Sequence, residues 1–345
     1  MRSKETGYDR QTSGIDTPFN YILLAGVSLL FWVSGYMTSA GYPLHIDASS
    51  TPLWKLISRN LTDKTEVYAA GLLLAAGGGF LIHRINYVLV IIREKTLVPF
   101  LLYILLVSSG TDFAPLSSAS LGIFFLILAF YQLFISYHDN EAIRPSFNVG
   151  LFISAGSLLW IHILWFLPIF WWGMYRFKIL SPRTFLASFA GTALVYWFLL
   201  GWCVWRQDYT PFTVPFASSP EAGFLFGLES LRPAEWIYVL YIFLLTALPV
   251  AHILLHESDD NLRTRRFLSF LIVFLSASFV FFFVYGQSSD EFLDVACMPA
   301  AILVARFFTE KKQKRRIWLY YILIFLLILI SLLRYSWTSS LNMAI

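Results

Sequence analysis

Charge is scarce in this chain. Only 13% of its 345 residues are Asp, Glu, Lys or Arg, about half the ~25% usual in a soluble domain. Too few are present to clothe a water-facing surface, so a soluble globular fold is set aside. Cysteine is nearly missing as well. Cys203 and Cys297 are the two in the sequence; both fall in or beside apolar runs, and no metal-type cysteine spacing exists. There is no Walker loop, no GxSxG, no dinucleotide fingerprint and no haem or iron–sulfur spacing, so nucleotide and redox-cofactor chemistry has no signal here. The ~10-residue alternating strands that a membrane β-barrel requires are also missing.

Apolar length is what the chain has instead. Hydrophobic residues make up 58% and aromatics 18%. They form successive runs, most long enough to cross a ~30 Å hydrocarbon core. Backbone in such a medium must bond to itself, so the runs are helices, with Trp and Tyr near their ends as interfacial belts. The expected fold class is all-α, a polytopic transmembrane helix bundle. It forms one membrane domain over 19–334, with a polar tail at 1–18 and a short tail at 335–345. The net charge of +4 is no sign of nucleic acid, because the basic residues sit between apolar runs. The partner it implies is the lipid bilayer.

Taken in order, the first crossing is 21–38, a retained signal-anchor. A long loop, 41–66, follows. Thr51-Pro52 reads as an N-cap with proline at the first helical position. Leu53, Trp54, Leu56, Ile57 and Leu61 then share one face, and Lys55, Ser58 and Arg59 the other, which predicts a short interfacial helix. The second crossing, 66–82, ends at His83-Arg84; its glycines 77–79 are packing residues. Residues 85–95 read as an interfacial segment, 97–109 as a short crossing and 119–137 as a full one. Further crossings are 185–204, 235–255, 267–285, 292–308 and 318–333, with a second long loop at 205–233.

Residues 149–176, VGLFISAGSLLWIHILWFLPIFWWGMYR, decide the topology. They are one crossing or a bent pair with His162 at the bend. If both ends lie on one side, 19 of the 25 Lys and Arg residues fall on the cytoplasmic face and 6 on the other. A single crossing would put the blocks Arg176/Lys178/Arg183, Arg263/Arg265/Arg266 and Lys311–Arg316 outside, against the positive-inside rule. The expectation is therefore about 11 membrane segments, including a short-armed hairpin at 149–176, with the N-terminus cytoplasmic and the C-terminus periplasmic. Fourteen residues per arm span about 21 Å, short of the core, so the apex stops within the outer half of the membrane.

Acids gather on the outer face: Asp47 in the first loop, Asp112 in the next, and Asp290, Glu291 and Asp294 entering the 292–308 segment. Carboxylates arriving from separate loops are either wet interfacial charges or a divalent-cation and general-base site. Asp294 stands about one turn into an apolar run, where an ionisable group marks a functional site by default. His162 either lines a cavity or is a packed histidine in an aromatic shell. Lys55 and Arg59, one helical turn apart, together with Arg206, meet ordinary headgroups or receive a lipid phosphate. His252 and His256 have a metal-capable i,i+4 spacing without the HExxH pattern.

Three passages carry a family resemblance: LIHRINYVLVIIREKTLVPFLLYILLVSS at 81–109, RPSFNVGLFISAGSLLW at 144–160 and MPAAILVARFF at 298–308. In their order they resemble an uncharacterised family of multi-pass inner-membrane proteins from Bacteroidota, which implies a bacterial envelope location and no established activity. The layout more loosely resembles C-type glycosyltransferases, which use polyprenyl-phosphate-linked sugars. That resemblance implies Asp47 and Asp112 as catalytic base and metal ligand; the leading hypothesis adds Asp294 as a second metal ligand, Lys55, Arg59 and Arg206 as substrate-binding residues, and His162 as a catalytic residue lining the cavity. Loop one has no paired-acid or DxD motif. The functional expectation is a glycosyltransferase-like envelope enzyme working on a lipid-linked sugar. The alternatives are a transporter or flippase, or a non-catalytic subunit of an envelope assembly.

Overall fold

The computed structural model describes residues 15–38, 51–61, 63–110, 116–139, 141–217, 233–256, 260–285, 289–309 and 314–342. All regular structure among them is helical: α1 (Pro18–Thr38), α2 (Pro52–Asn60), α3 (Lys64–Leu89), α4 (Val98–Ser108), α5 (Ser118–Ile135), α6 (Ile143–Ser157), a 3-10 helix η1 (Ile161–Phe166), α7 (Leu167–Arg176), α8 (Pro182–Arg206), α9 (Thr210–Ala217), α10 (Pro233–Leu255), α11 (Leu262–Val284), α12 (Ser289–Thr309) and α13 (Lys314–Asn342). Eight of them, α1, α3, α5, α8 and α10–α13, are long and apolar enough to cross a membrane. With the short α4 and the two arms α6 and α7, they reproduce the segments expected from the sequence. The chain is a multi-pass membrane helix bundle.

Polar residues set the helix starts. Asp63 caps α3 by accepting from the Thr65 amide. Ser117 and Ser181 form reciprocal capping boxes with Ser120 and Thr184 at the starts of α5 and α8, satisfying amides that have no intrahelical partner.

Two local expectations change. α3 does not stop at His83-Arg84. Its buried stripe continues through Ile82, Ile85 and Leu89, and it ends where Val90 turns left-handed (φ 52°). Asn86 then pins the turn by accepting from the Ile92 amide (3.0 Å) and donating to the Glu94 carbonyl (3.0 Å). In α2, Ser58 is buried and Leu56 is 63% exposed. Trp54 docks against Val67 and Leu116 and carries Ser58 inward, where the hydroxyl donates to the Trp54 carbonyl (2.7 Å).

α12 is the central post, packed by α4, α5, α10, α11 and α13, with small residues Ala296, Ala300, Ala301 and Ala305 fully buried. The hairpin is present. The His138 amide donates to the Phe177 carbonyl (3.2 Å), so the chain leaves and returns at one end. Phe130 and Phe134 of α5, Phe170 of α7 and Phe267, Phe270 and Phe274 of α11 interlock and hold the second arm against α5 and α11, mostly edge to face, the arrangement ring quadrupoles favour. α6 crosses α8 at backbone contact. A Cβ on Gly150 would run into the Ser188 carbonyl, and one on Gly191 into that of Phe147. This is the small-residue packing typical of membrane helices.

One end of the bundle, the basic end, joins Tyr137, Phe177, Arg263 and Arg266, and also Arg93, Asp260 and Arg306. The opposite end holds the hairpin apex. The last residue of α6, Ser157, hydrogen-bonds Tyr196 of α8 (2.7 Å), ten residues before α8 ends. At ~1.5 Å per residue, α8 runs about 15 Å past the apex, so the hairpin stops short, as its arm length requires.

Candidate functional site

The apex is a non-helical break at Leu158–Trp160 followed by η1. Six residues are long for a 3-10 helix, a form that often marks strain or function. The apex rests on Gly122 of α5, which has no Cβ to hold off Ile163 and Trp160. His162 is 4% exposed, yet neither ring nitrogen has a hydrogen-bond partner. Its neighbours are aromatic: Trp160 at 5.3 Å between ring centroids, Tyr285 at 5.4 Å and Phe292 at 5.6 Å. A buried polar group left unpaired costs about 1–3 kcal/mol, which the packing of the three rings around it has to offset.

Asp294 lies on α12 beside the end of α4. One carboxylate oxygen is 3.2 Å from where a Gly110 Cβ would stand. Tyr238 of α10 donates to the Leu106 carbonyl (3.2 Å) and bonds the Ser109 hydroxyl (3.2 Å), closing the same corner. A cavity of about 20 Å³ lies between α3, α4 and α5, lined by Gly71, Leu74, Ala75, Tyr103, Val107, Ser120 and Phe124. It has room for about one water and none for a substrate headgroup.

His162 and Asp294 address different sides of α12. His162 packs on Phe292, and a two-residue step turns a helix by roughly 200°. Asp294 therefore faces α4 while Phe292 faces the hairpin. Asp47 and Asp112 lie outside the described residues, but both loop roots are visible. Thr51, four residues after Asp47, donates its hydroxyl to the Leu159 carbonyl at the apex (2.6 Å). Gly110, two residues before Asp112, sits at Asp294. Lys55 is half-buried and Arg59 exposed on α2. Arg206 is exposed and stacks over Trp202 of its own helix (4.9 Å), beyond the apex. Among the described residues no group of three His, Cys, Asp or Glu gathers to hold a metal.

The best-connected charges are ones that sequence reasoning passed over. Arg306 of α12 is 1% exposed. It donates to both carboxylate oxygens of Asp260 (2.6 Å each) and to the Ile91 carbonyl (2.6 Å), and Arg93 also reaches Asp260 (2.6 Å). A lone arginine inside the apolar run 292–308 was the available signal. Arg316 points at Nε2 of His252 (2.8 Å), which makes that nitrogen the acceptor. His256 stacks on the His252 ring (4.3 Å), so the i,i+4 histidines form a packed pair at the basic end.

No curated protein and no solved structure matches the chain. One family model does, across residues 53–342, which takes in every membrane helix after α1 as well as α2 and the apex. By that match the chain belongs to the family of unknown function DUF6427.

Proposed function

We propose that this protein is a glycosyltransferase-like enzyme of the bacterial inner membrane, acting at the apex end on a sugar carried by polyprenyl phosphate. The observation that supports the reading is that Trp54, beyond Asp47 in the first loop, and Leu116, beyond Asp112 in the next, pack in one cluster at the apex end, with Thr51 bonded to Leu159 and Gly110 beside Asp294 as the loop roots. The loops bearing Asp47 and Asp112 spring from those points. In this reading Asp47 takes the proton of the acceptor hydroxyl as the sugar transfers. The departing phosphate faces Lys55 and Arg59, and Arg206 meets the headgroup further out. Asp112, with Asp294 beside its root, holds a divalent cation or orients the acceptor; Asp294 alone cannot, since a cation of this kind takes several oxygen ligands. His162 lines the hairpin wall. The basic end faces the cytoplasm, as the distribution of Lys and Arg favours, with the N-terminus on that side and the C-terminus periplasmic.

In a strain whose envelope glycan or lipid-linked sugar pool changes on deletion of the gene, Asp47→Asn and Asp112→Asn should each reproduce the deletion at normal protein level. Unchanged pools in both variants would refute the enzyme. A second reading, a transporter or flippase, draws on the broken hairpin within the bundle. It predicts uptake of a lipid-linked sugar into proteoliposomes that survives both substitutions.

A further inference from the structure

We propose that His162 and the rings around it form a binding subsite for an uncharged glycosyl unit, entered from the apex end when the Tyr285 ring swings aside. The argument starts from the imidazole. A neutral histidine offers one donor and one acceptor, and here both are buried and unused. Among the described residues no charged side chain hydrogen-bonds it or stacks on it, whereas a phosphate site would ask for arginine or lysine in contact. A pair of sugar hydroxyls supplies the matching acceptor and donor. The shell supplies the rest. Trp165, 47% exposed, stacks on Tyr285 (6.3 Å, 21° between planes), and Tyr285 stacks on Phe292 (5.8 Å, 24°). These near-parallel rings lead from the exposed rim to the buried histidine. Their electron-rich faces suit the C–H face of a pyranose. Tyr285 is the movable member, because it sits at the very end of α11, its amide making the last bond of that helix to the Phe281 carbonyl (2.8 Å).

The inference deepens the proposed function and rests on it only for the source of the sugar, lipid-linked or free. The test uses the full chain in lipid nanodiscs with ring-15N histidine, the His162 signals being assigned by their loss in His162→Leu. Octyl glycosides of glucose, galactose, mannose and N-acetylglucosamine are titrated below their micellar concentrations, alongside octyl phosphocholine and the matching methyl glycosides. At least one glycoside should shift the His162 signals saturably, and octyl phosphocholine should not. The variants are read by equilibrium dialysis of the radiolabelled glycoside against the nanodiscs: His162→Gln should keep binding within a few-fold, His162→Leu should abolish it without loss of helicity, and unchanged binding in His162→Leu would overturn the inference. An octyl glycoside acting alone would identify a lipid-linked sugar, and equal action of its methyl counterpart a free one. No shift with any glycoside, or an equal shift with octyl phosphocholine, would overturn the inference. The Asp47 and Asp112 strain experiment reads glycan pools without reference to His162, so either idea can fail alone.

Discussion

Arg306 shows how much one side chain can carry. Its guanidinium is sealed inside the bundle and satisfied by the Asp260 carboxylate and the Ile91 carbonyl, so it ties α12 to the α3–α4 turn and to the start of α11. Removing one partner of a buried pair strands the other charge, at a cost of about 3–5 kcal/mol. Asp260→Ala should therefore lower the thermal midpoint sharply in detergent, and the double variant Arg306→Met, Asp260→Leu should recover most of the loss. Arg93→Ala, removing a side chain 42% exposed, should cost less than about 1 kcal/mol. This node was only half legible beforehand. Arg306 announced itself as a cation in an apolar run, but Asp260 stands in the polar stretch 257–261 and reads as an ordinary loop acid. Only the fold brings the two together across 46 positions. The acids that the sequence did nominate drew attention by chemistry alone. Asp294 has an identifiable corner, whereas His162 proved to be among rings on the other side of its helix.

Among the elements, the α6–α8 crossing is the tightest. It depends on two residues whose side chains are missing: Gly150 and Gly191 let carbonyls pass where any Cβ would collide. Gly191→Leu should force the helices apart, break the Ser157–Tyr196 bond and destabilise by roughly 1–3 kcal/mol or more, measured as a fall in thermal midpoint. Gly201→Leu on the same helix, with nothing within 4 Å, serves as the control and should leave the midpoint nearly unchanged. The existence of each apolar helix could be read from run length. The end of α3 and the facing of α2 could not, because both are set by tertiary contacts: the Asn86-pinned turn and the Trp54 dock.

At the scale of the whole molecule, the hairpin makes the alternation of crossings consistent with the charge. Glu141 and Lys178, both exposed, flank its two arms at the same end, and Gln207 lies past the far end of α8. Single cysteines at Glu141 and Lys178, in a background lacking Cys203 and Cys297, should react with an impermeant maleimide only in inverted vesicles. A cysteine at Gln207 should react only in right-side-out ones. Labelling of Glu141→Cys and Lys178→Cys from opposite sides would dissolve the hairpin. Counting Lys and Arg was enough to expect this bend, because a single crossing would reverse three basic blocks at once.

α12 places its acids, Asp290 and Glu291, in its first turn and Arg306 in its last, the arrangement that suits the helix macrodipole. Asp294 and Arg306 are separated by twelve residues, about 18 Å along the axis. In the proposed orientation, with the basic end on the negative side of an energised membrane, the electrical gradient draws Arg306 toward that side and the first-turn carboxylates toward the other. A unit charge crossing the full membrane exchanges about 2.3 kcal/mol per 100 mV, so both ends of the post are pulled toward the seats they already occupy. The field therefore acts along the axis of α12, and the pairing of Arg306 with Asp260 limits its grip at the basic end.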